Sequence, residues 1–439
     1  MTKPLVAILG RPNVGKSTVF NRIVGGRISI VENVPGVTRD RIYADAEWRN
    51  RKFTVIDTGG MEPQSADGIY RQMLIQAQLA AETSDVIIFI VDGREGINPT
   101  DIEVAHFIRK TKKPVVLAVN KIDTIRQEAD AAEFYTLGVG TPFLISAEHG
   151  LGIGEMLDEA VLHFPKPGAE EEDGESIRIA VVGKPNAGKS SLVNAILCEE
   201  RTIVSEAPGT TRDAIDTPFE REGKKYVIID TAGIRKKRSI EEQSVEYYGV
   251  VRAFAAIRRC DAALLVIDAC DGVTEQDVKI GGFVHEEGKP CVIVMNKWDK
   301  IEKDTFTVER FKQDIKRDFA FMDYAPEVFI SAKTGQRVNK ALEMVDIICQ
   351  NAERRIPTGV LNEVLSQMVS ARQPPSDKGR RLKIFYGTQV SVKPPTFVIF
   401  VNNSDLMHYS YLRYLENNFR DTFDFMGTPI RLKLRNRGE

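Results

Sequence analysis

One long pattern occurs twice in this chain. The segment VAILGRPNVGKS at 6–17 returns as IAVVGKPNAGKS at 179–190. PGVTRD at 35–40 returns as PGTTRD at 208–213, and DTGG at 57–60 as DTAG at 230–233, each displaced by 173 residues. Further on, NKID at 120–123 returns as NKWD at 296–299 and SAE at 146–148 as SAK at 331–333, displaced by 176 and 185. A period this long is no solenoid repeat, so each copy should be a complete domain, with loop insertions absorbing the drift. The expected division is 1–164, a linker at 165–176 rich in proline, glycine and acids, a second copy at 177–355, and a tail at 356–439 without the repeat.

Within each copy, short β-rich apolar runs alternate with longer amphipathic segments. The runs are Leu5–Gly10, Phe53–Asp57, Val86–Asp92, Val115–Asn120 and Phe143–Ser146, then Ile177–Gly183, Tyr226–Asp230, Ala262–Asp268, Cys291–Asn296 and Val328–Ser331. Near-continuous apolar runs suit strands covered on both faces, which predicts an α/β fold with a doubly wound, mainly parallel sheet in each copy. Four of the five runs in each copy end in a polar residue, placing those residues at the carboxyl edge where such sheets bind ligands. The tail reads helix (359–371), strand (381–386), strand (396–402), helix (410–422) and strand (430–434), a small α+β domain.

Charge and cysteine content exclude several classes. Sixty basic against sixty-two acidic residues give a net charge of −2, so no global field points to nucleic acid or membrane. Five cysteines without a C-x-x-C spacing argue against a disulfide scaffold or zinc ribbon and for a reducing compartment. The apolar stretch at 5–9 is too short for a secretory signal, and no run approaches the length of a membrane span. The expectation is a cytoplasmic protein.

Both G-x-x-x-x-G-K-S segments follow a strand and open a helix, the context that gives this motif its meaning. Gly10, Gly15, Gly183 and Gly188 let backbone amides turn toward phosphate oxygens; Asn13, Val14, Thr18, Asn186, Ala187 and Ser191 complete the loops. Lys16 and Lys189 should reach the β and γ phosphates, while the Ser17 and Ser190 hydroxyls ligate magnesium. Asp57 and Asp230 end the next strand, where a carboxylate supports the magnesium water shell and the Gly60 or Gly233 amide senses a γ-phosphate. Asn120-Lys121-x-Asp123 and Asn296-Lys297-x-Asp299 read the base. A carboxylate accepts from guanine N1–H and its exocyclic amine, two donors adenine lacks. The lysine stem can lie along the base plane. Ser146-Ala147 and Ser331-Ala332 end the last strand, where the alanine amide can donate to guanine O6. Two guanine-nucleotide sites for GTP or GDP follow.

Two tandem guanine-nucleotide domains followed by a small α+β domain resemble the bacterial double GTPase family called Der or EngA. The resemblance covers nearly the whole chain. It implies a Ras-like fold in each copy, a C-terminal domain shaped like a KH module, and a GTP-hydrolysing switch in assembly of the large ribosomal subunit. Its partners would then be that subunit and its rRNA, and the protein would be ribosome-associated. Thr38 and Thr211 match the family's switch threonine, a second magnesium ligand. A scaffold in which hydrolysis is incidental is the alternative. A metabolic kinase is disfavoured by the guanine-reading motif and the lack of an acceptor domain. Because the duplication already pairs two sites, a monomer is expected.

Four features bear on mechanism. The residue after each D-x-x-G is Met61 or Ile234, where many GTPases have a water-orienting glutamine. Asn13 and Asn186 match a position that ligates potassium in related GTPases, predicting slow, potassium-stimulated hydrolysis; bracing of the loop is the other reading. The second copy carries Arg235-Lys-Lys-Arg238 where the first has Met61-Glu-Pro-Gln64, either a nucleotide-ordered basic switch or a solvated loop. The tail has no G-x-x-G, the loop with which KH domains clamp RNA. It nevertheless holds twelve basic and seven acidic residues, and Lys378, Arg380, Arg381, Lys383 and Lys393 are candidates for phosphate contacts. Docking of the tail on the nucleotide domains is the competing reading. His285, Trp48 and Trp298 read as structural.

Overall fold

The structure, a computed structural model, describes residues 3–25, 43–57, 73, 76–78, 80–81, 83–111, 113–123, 130–165, 176–198, 202–204, 216–229, 242–374, 376–377 and 380–437. Thr38, Gly60, Met61, Thr211, Asp230, Gly233, Ile234, the 235–238 basic run, most of the acidic linker and Lys378 lie outside these residues. The chain forms two compact units, essentially 1–174 and 175–439.

In the first unit, β1 (Leu5–Gly10), α1 (Lys16–Val24), β2 (Tyr43–Trp48), β3 (Arg51–Asp57), β4 (Val86–Asp92), α2 (Pro99–Lys110), β5 (Val115–Asn120), β6 (Pro142–Leu144) and α3 (Ile153–Leu162) build a sheet of order β2-β3-β1-β4-β5-β6. Only β2 runs antiparallel. The apolar runs are buried on both faces because alternate side chains enter different cores. Val6, Ile8, Ile88 and Ile90 pack with α1 and α3, and Ala7, Leu9, Ile87 and Phe89 with α2. Strand β2 was not among the expected runs. Its sequence YADAEW has no continuous apolar stretch, and it is held by a hairpin whose turn residues Arg49 and Asn50 have φ of 45° and 64°.

The second unit repeats this with β7 (Ser176–Val182), α4 (Lys189–Leu197), β8 (Thr202–Val204), β9 (Thr217–Arg221), β10 (Lys224–Ile229), α5 (Glu242–Arg259), β11 (Ala262–Asp268), α6 (Glu275–Glu286), β12 (Cys291–Asn296), α7 (Thr307–Asp318), β13 (Glu327–Phe329) and α8 (Val338–Glu353), in sheet order β13-β12-β11-β7-β10-β9-β8. The tail adds α9 (Thr358–Ala371), a ribbon of β14 (Ser376–Asp377) and β15 (Arg380–Arg381), then β16 (Ile384–Ser391), β17 (Thr396–Val401), α10 (Tyr409–Phe423) and β18 (Arg431–Asn436). Strand β16 begins and ends later than expected. Gly387 and Thr388 look like an end of apolar patterning, yet the strand continues because β17 pairs with it and Gly387 leaves room for Leu365.

The tail packs within the second unit. Cys291 N–H donates to Gly427 O at 2.9 Å, Gly427 N–H to Tyr324 O at 2.7 Å, and Thr428 Oγ1 to Ile348 O at 3.1 Å. Arg420 lies 4.6 Å over the Tyr324 ring. The docking reading of the tail therefore holds for the second nucleotide domain. His285 sits in the same region, half-buried, bonded to Tyr324 and pushed down to about 4 by burial, a structural side chain as expected. Trp298 packs between Phe311 and Phe329, and Trp48 donates to Asp158. Among the described residues no helix is long and apolar enough to cross a membrane.

Candidate functional site

Each glycine-rich loop leaves its strand at the carboxyl edge and enters a helix whose N-terminus lacks a side-chain cap. Gly15 and Gly188 both sit at φ 96°, a left-handed conformation that costs other residues energy. A Cβ there would come within 2.3 Å of Asn120 Nδ2 in the first copy and 2.2 Å of Asn296 Nδ2 in the second. Their helices therefore begin with open backbone N–H groups and a positive dipole end, the arrangement that binds phosphate.

In the first copy Lys16 is almost fully buried, and its ammonium donates to Arg11 O at 2.7 Å. Burial pushes this lysine down to about 8, against the pull of Asp57 and with help from Arg11. A cation short of counter-charge in a glycine cradle fits a polyphosphate. Ser17 Oγ donates to Asp57 Oδ2 at 3.2 Å, so the two candidate magnesium ligands adjoin each other and fit that ion's oxygen preference. In the second copy Lys189 donates to Gly183 O and Lys184 O, both at 2.7 Å.

The N-K-x-D residues are organised by contacts spanning most of each copy. Asn120 Nδ2 donates to Val14 O at 2.8 Å, and its Oδ1 accepts from Ala147 N at 3.0 Å; Asn296 does the same with Ala187 O at 2.9 Å and Ala332 N at 3.0 Å. The asparagine is thus a strut joining the phosphate loop to the base-side loop. The Ala147 and Ala332 amides thereby sit at the end of this strut, beside the loop that carries the N-K-x-D motif. Lys121 and Lys297 adopt φ of 70° and 62° and pair with the buried Asp92 and Asp268, which fixes their stems. Burial pushes those carboxyls up, but the lysine and backbone N–H bonds outweigh it and hold them below the usual range.

Ser146 Oγ donates to Asp123 Oδ1 at 2.7 Å and holds that carboxyl low; a Ser331 hydroxyl bond does the same for Asp299. Both carboxylates are therefore ionised and tethered to a serine hydroxyl. In the first copy alone the guanidinium of Arg94 bridges to Asp123, because position 270, its counterpart, is a cysteine. Asn13 and Asn186 are exposed with φ of 67° and 65°, a region asparagine tolerates well. The loop backbone alone thus gives a reason for asparagine there.

Residues outside the motifs complete each loop. Arg11 Nε reaches both oxygens of Asp101 at 3.0 Å, and Asp101, fully buried, also accepts from Asn98 N to cap α2. Asp277 occupies the matching position on α6, where Thr274 N donates to it at 3.1 Å. The sequence signal was present in N-P-T-D and T-E-Q-D, a capping-box spacing displaced by the same 176 residues as the base-reading motif.

Comparison with known proteins agrees with this geometry. Residues 5–121 and 178–297 match the family described as "50S ribosome-binding GTPase", and residues 355–435 the one described as "KH-domain-like of EngA bacterial GTPase enzymes, C-terminal". The chain is a tandem P-loop GTPase with a KH-like C-terminal domain. The protein named GTPase Der from Alkaliphilus oremlandii is 59% identical over 99% of both chains. Those from Ruminiclostridium cellulolyticum and Acetivibrio thermocellus are each 58% identical, over 100% and 99% of this chain and 99% of their own. The chain belongs to the Der family of GTPases.

Proposed function

We propose that this GTPase is a two-site switch that acts in assembly of the large ribosomal subunit, binding the particle and its rRNA in one nucleotide state and leaving it in another. The observation that carries the reading is the duplication. Two loops, two struts and two tethered carboxylates repeat with nearly equal distances in one chain that also holds a basic third domain. The match to a family described as ribosome-binding supports the partner. The division is 1–164, linker 165–176, 177–355 and 356–439.

In each site Lys16 or Lys189 meets the β and γ phosphates, with the open N–H groups of α1 or α4 cradling them. Ser17, Asp57 and Thr38, or Ser190, Asp230 and Thr211, hold magnesium, which when bound neutralises phosphate charge. Gly60 and Gly233 sense the γ-phosphate; Asp123 and Asp299 select guanine, and Ser146 and Ser331 orient them. With no glutamine after D-x-x-G, turnover is slow; Asn13 and Asn186 would hold potassium, which would supply positive charge beside the phosphates, and equal rates in sodium and potassium would exclude the ion. The protein works as a cytoplasmic monomer.

The test is co-sedimentation with purified large subunits, comparing a non-hydrolysable GTP analogue with GDP at fixed salt. Analogue-dependent binding is expected. Equal binding in both states, or none, would remove the switch while leaving the GTPase activity untouched.

A further inference from the structure

The C-terminal sheet has one face that its own core does not use. Phe397, Ile399 and Val401 of β17 point inward and are completely buried with α9 and α10. The alternate residues therefore face outward. Across the sheet, register sets Tyr386 beside Phe400 beside Arg435, and Thr388 beside Val398 beside Lys433. The Tyr386 and Phe400 rings are 4.3 Å apart and within 17° of parallel, with Tyr386 43% exposed. Arg437 lies 4.7 Å over the exposed ring of Phe385, and Lys433 and Arg435 are exposed. None of the three strands contains an acidic residue.

Phe400 is half-buried under Tyr386, a cross-strand pair that helps hold the sheet, but Tyr386 and Phe385 still keep about two fifths of their surface in solvent. Flat rings set beside cations, on strands that themselves carry no acidic residue, complement an unpaired base and its phosphate. Tyr386 and Arg435 stand two strand spacings apart, about 10 Å, so a base and a phosphate of one strand can be met together. We propose that this face is a platform for single-stranded RNA, with a base stacked on Tyr386 beside Phe400 and the backbone neutralised by Lys433 and Arg435. It rests on the ribosomal reading only in expecting an RNA partner, and it moves the RNA contact from the missing G-x-x-G groove to the sheet. Of the phosphate candidates named from sequence, Arg380, Arg381 and Lys383 are exposed just ahead of β16. Lys393 is not available in the same way, since its ammonium pairs with Glu353 at 2.6 Å and its N–H donates to Ala352 O.

The probe is a fluorescent single-stranded RNA of about 12 nucleotides, enough to span one such surface, titrated with the full chain by anisotropy. A hairpin duplex of similar length is the comparison. Tyr386→Ala should weaken binding about tenfold, while Tyr386→Phe, which keeps the ring, should stay close to wild type. Lys433→Gln and Arg435→Gln should each reduce the slope of log affinity against log salt by about 0.7. GTP hydrolysis should be unchanged in all four. Failure of the wild-type chain to bind the single strand, equal binding by wild type and Tyr386→Ala, or equal loss in Tyr386→Phe overturns the platform. The same variants are then sedimented with large subunits. If Tyr386→Ala loses particles but binds RNA normally, a ribosomal protein covers the face and the RNA assignment fails. If the platform binds RNA through Tyr386 but no particle is retained, the ribosomal reading fails and the platform stands.

Discussion

Raising the pH should loosen nucleotide at the first site before the guanine ring itself titrates. Burial pushes Lys16 down to about 8. A bound diphosphate supplies the counter-charge that Arg11 O cannot, so the lysine keeps its proton in the complex. Binding then requires proton uptake by whatever fraction of Lys16 is neutral. That fraction is about 0.1 at pH about 7 and about 0.9 at pH about 8.8. The sign follows: the group is more protonated bound than free, so affinity falls as pH rises through the free value. Over that interval GDP affinity should drop about sevenfold, or about 1.1 kcal/mol. Calorimetry in two buffers of different ionisation enthalpy gives both affinity and proton uptake, using Lys189→Ala to silence the second site. Flat affinity with no uptake at the higher pH would refute the burial argument. A Lys16→Arg chain that still binds should show no such dependence, because guanidinium stays charged.

Asn120→Ala removes a strut and leaves the carbonyl of Val14 and the amide of Ala147 without partners, at about 1–3 kcal/mol each. GDP binding should fall at least tenfold at the first site only, read as titration stoichiometry dropping from two to one. Arg94→Ala frees Asp123 from a half-exposed ion pair and should tighten GDP at that site, by at most about fivefold because such pairs are weak. Gly427→Ala places a Cβ 2.0 Å from Ile348 Cγ2 at φ 76°, on the seam between the tail and the second nucleotide domain. Overpacking and strain together should cost about 2–4 kcal/mol, seen in the denaturant midpoint, with guanine binding at the first site unaffected.

Much of this protein is legible in its sequence. The duplication, the strands Leu5–Gly10, Val86–Asp92, Val115–Asn120, Ala262–Asp268 and Cys291–Asn296, and the motifs at their ends all follow from local pattern. A strand buried on both faces must be continuously apolar, and a polar residue ends it where the chain turns into a loop. Those rules act over a few residues, so sequence alone carries them. Hairpin strands such as β2 and β9 escaped because half of their side chains face water and their turns use Arg49, Asn50, Glu222 and Gly223 at positive φ.

What the tertiary structure decided are the partners of groups far apart in sequence. Asn120 meets Val14 and Ala147 only because β5 lies beside β4, and β4 beside β1, which brings three loops to one edge. The Arg11–Asp101 clasp, the Arg94 bridge and the seating of Gly427 against Ile348 depend on the same placement. So does the row of Tyr386, Phe400 and Arg435, whose order is set by strand register and not by any motif. Residue type and spacing determine which chemistry each segment can offer. Sheet order and register determine which of those groups touch, because a hydrogen bond or a stacked ring is a matter of a few ångströms across elements, not of distance along the chain.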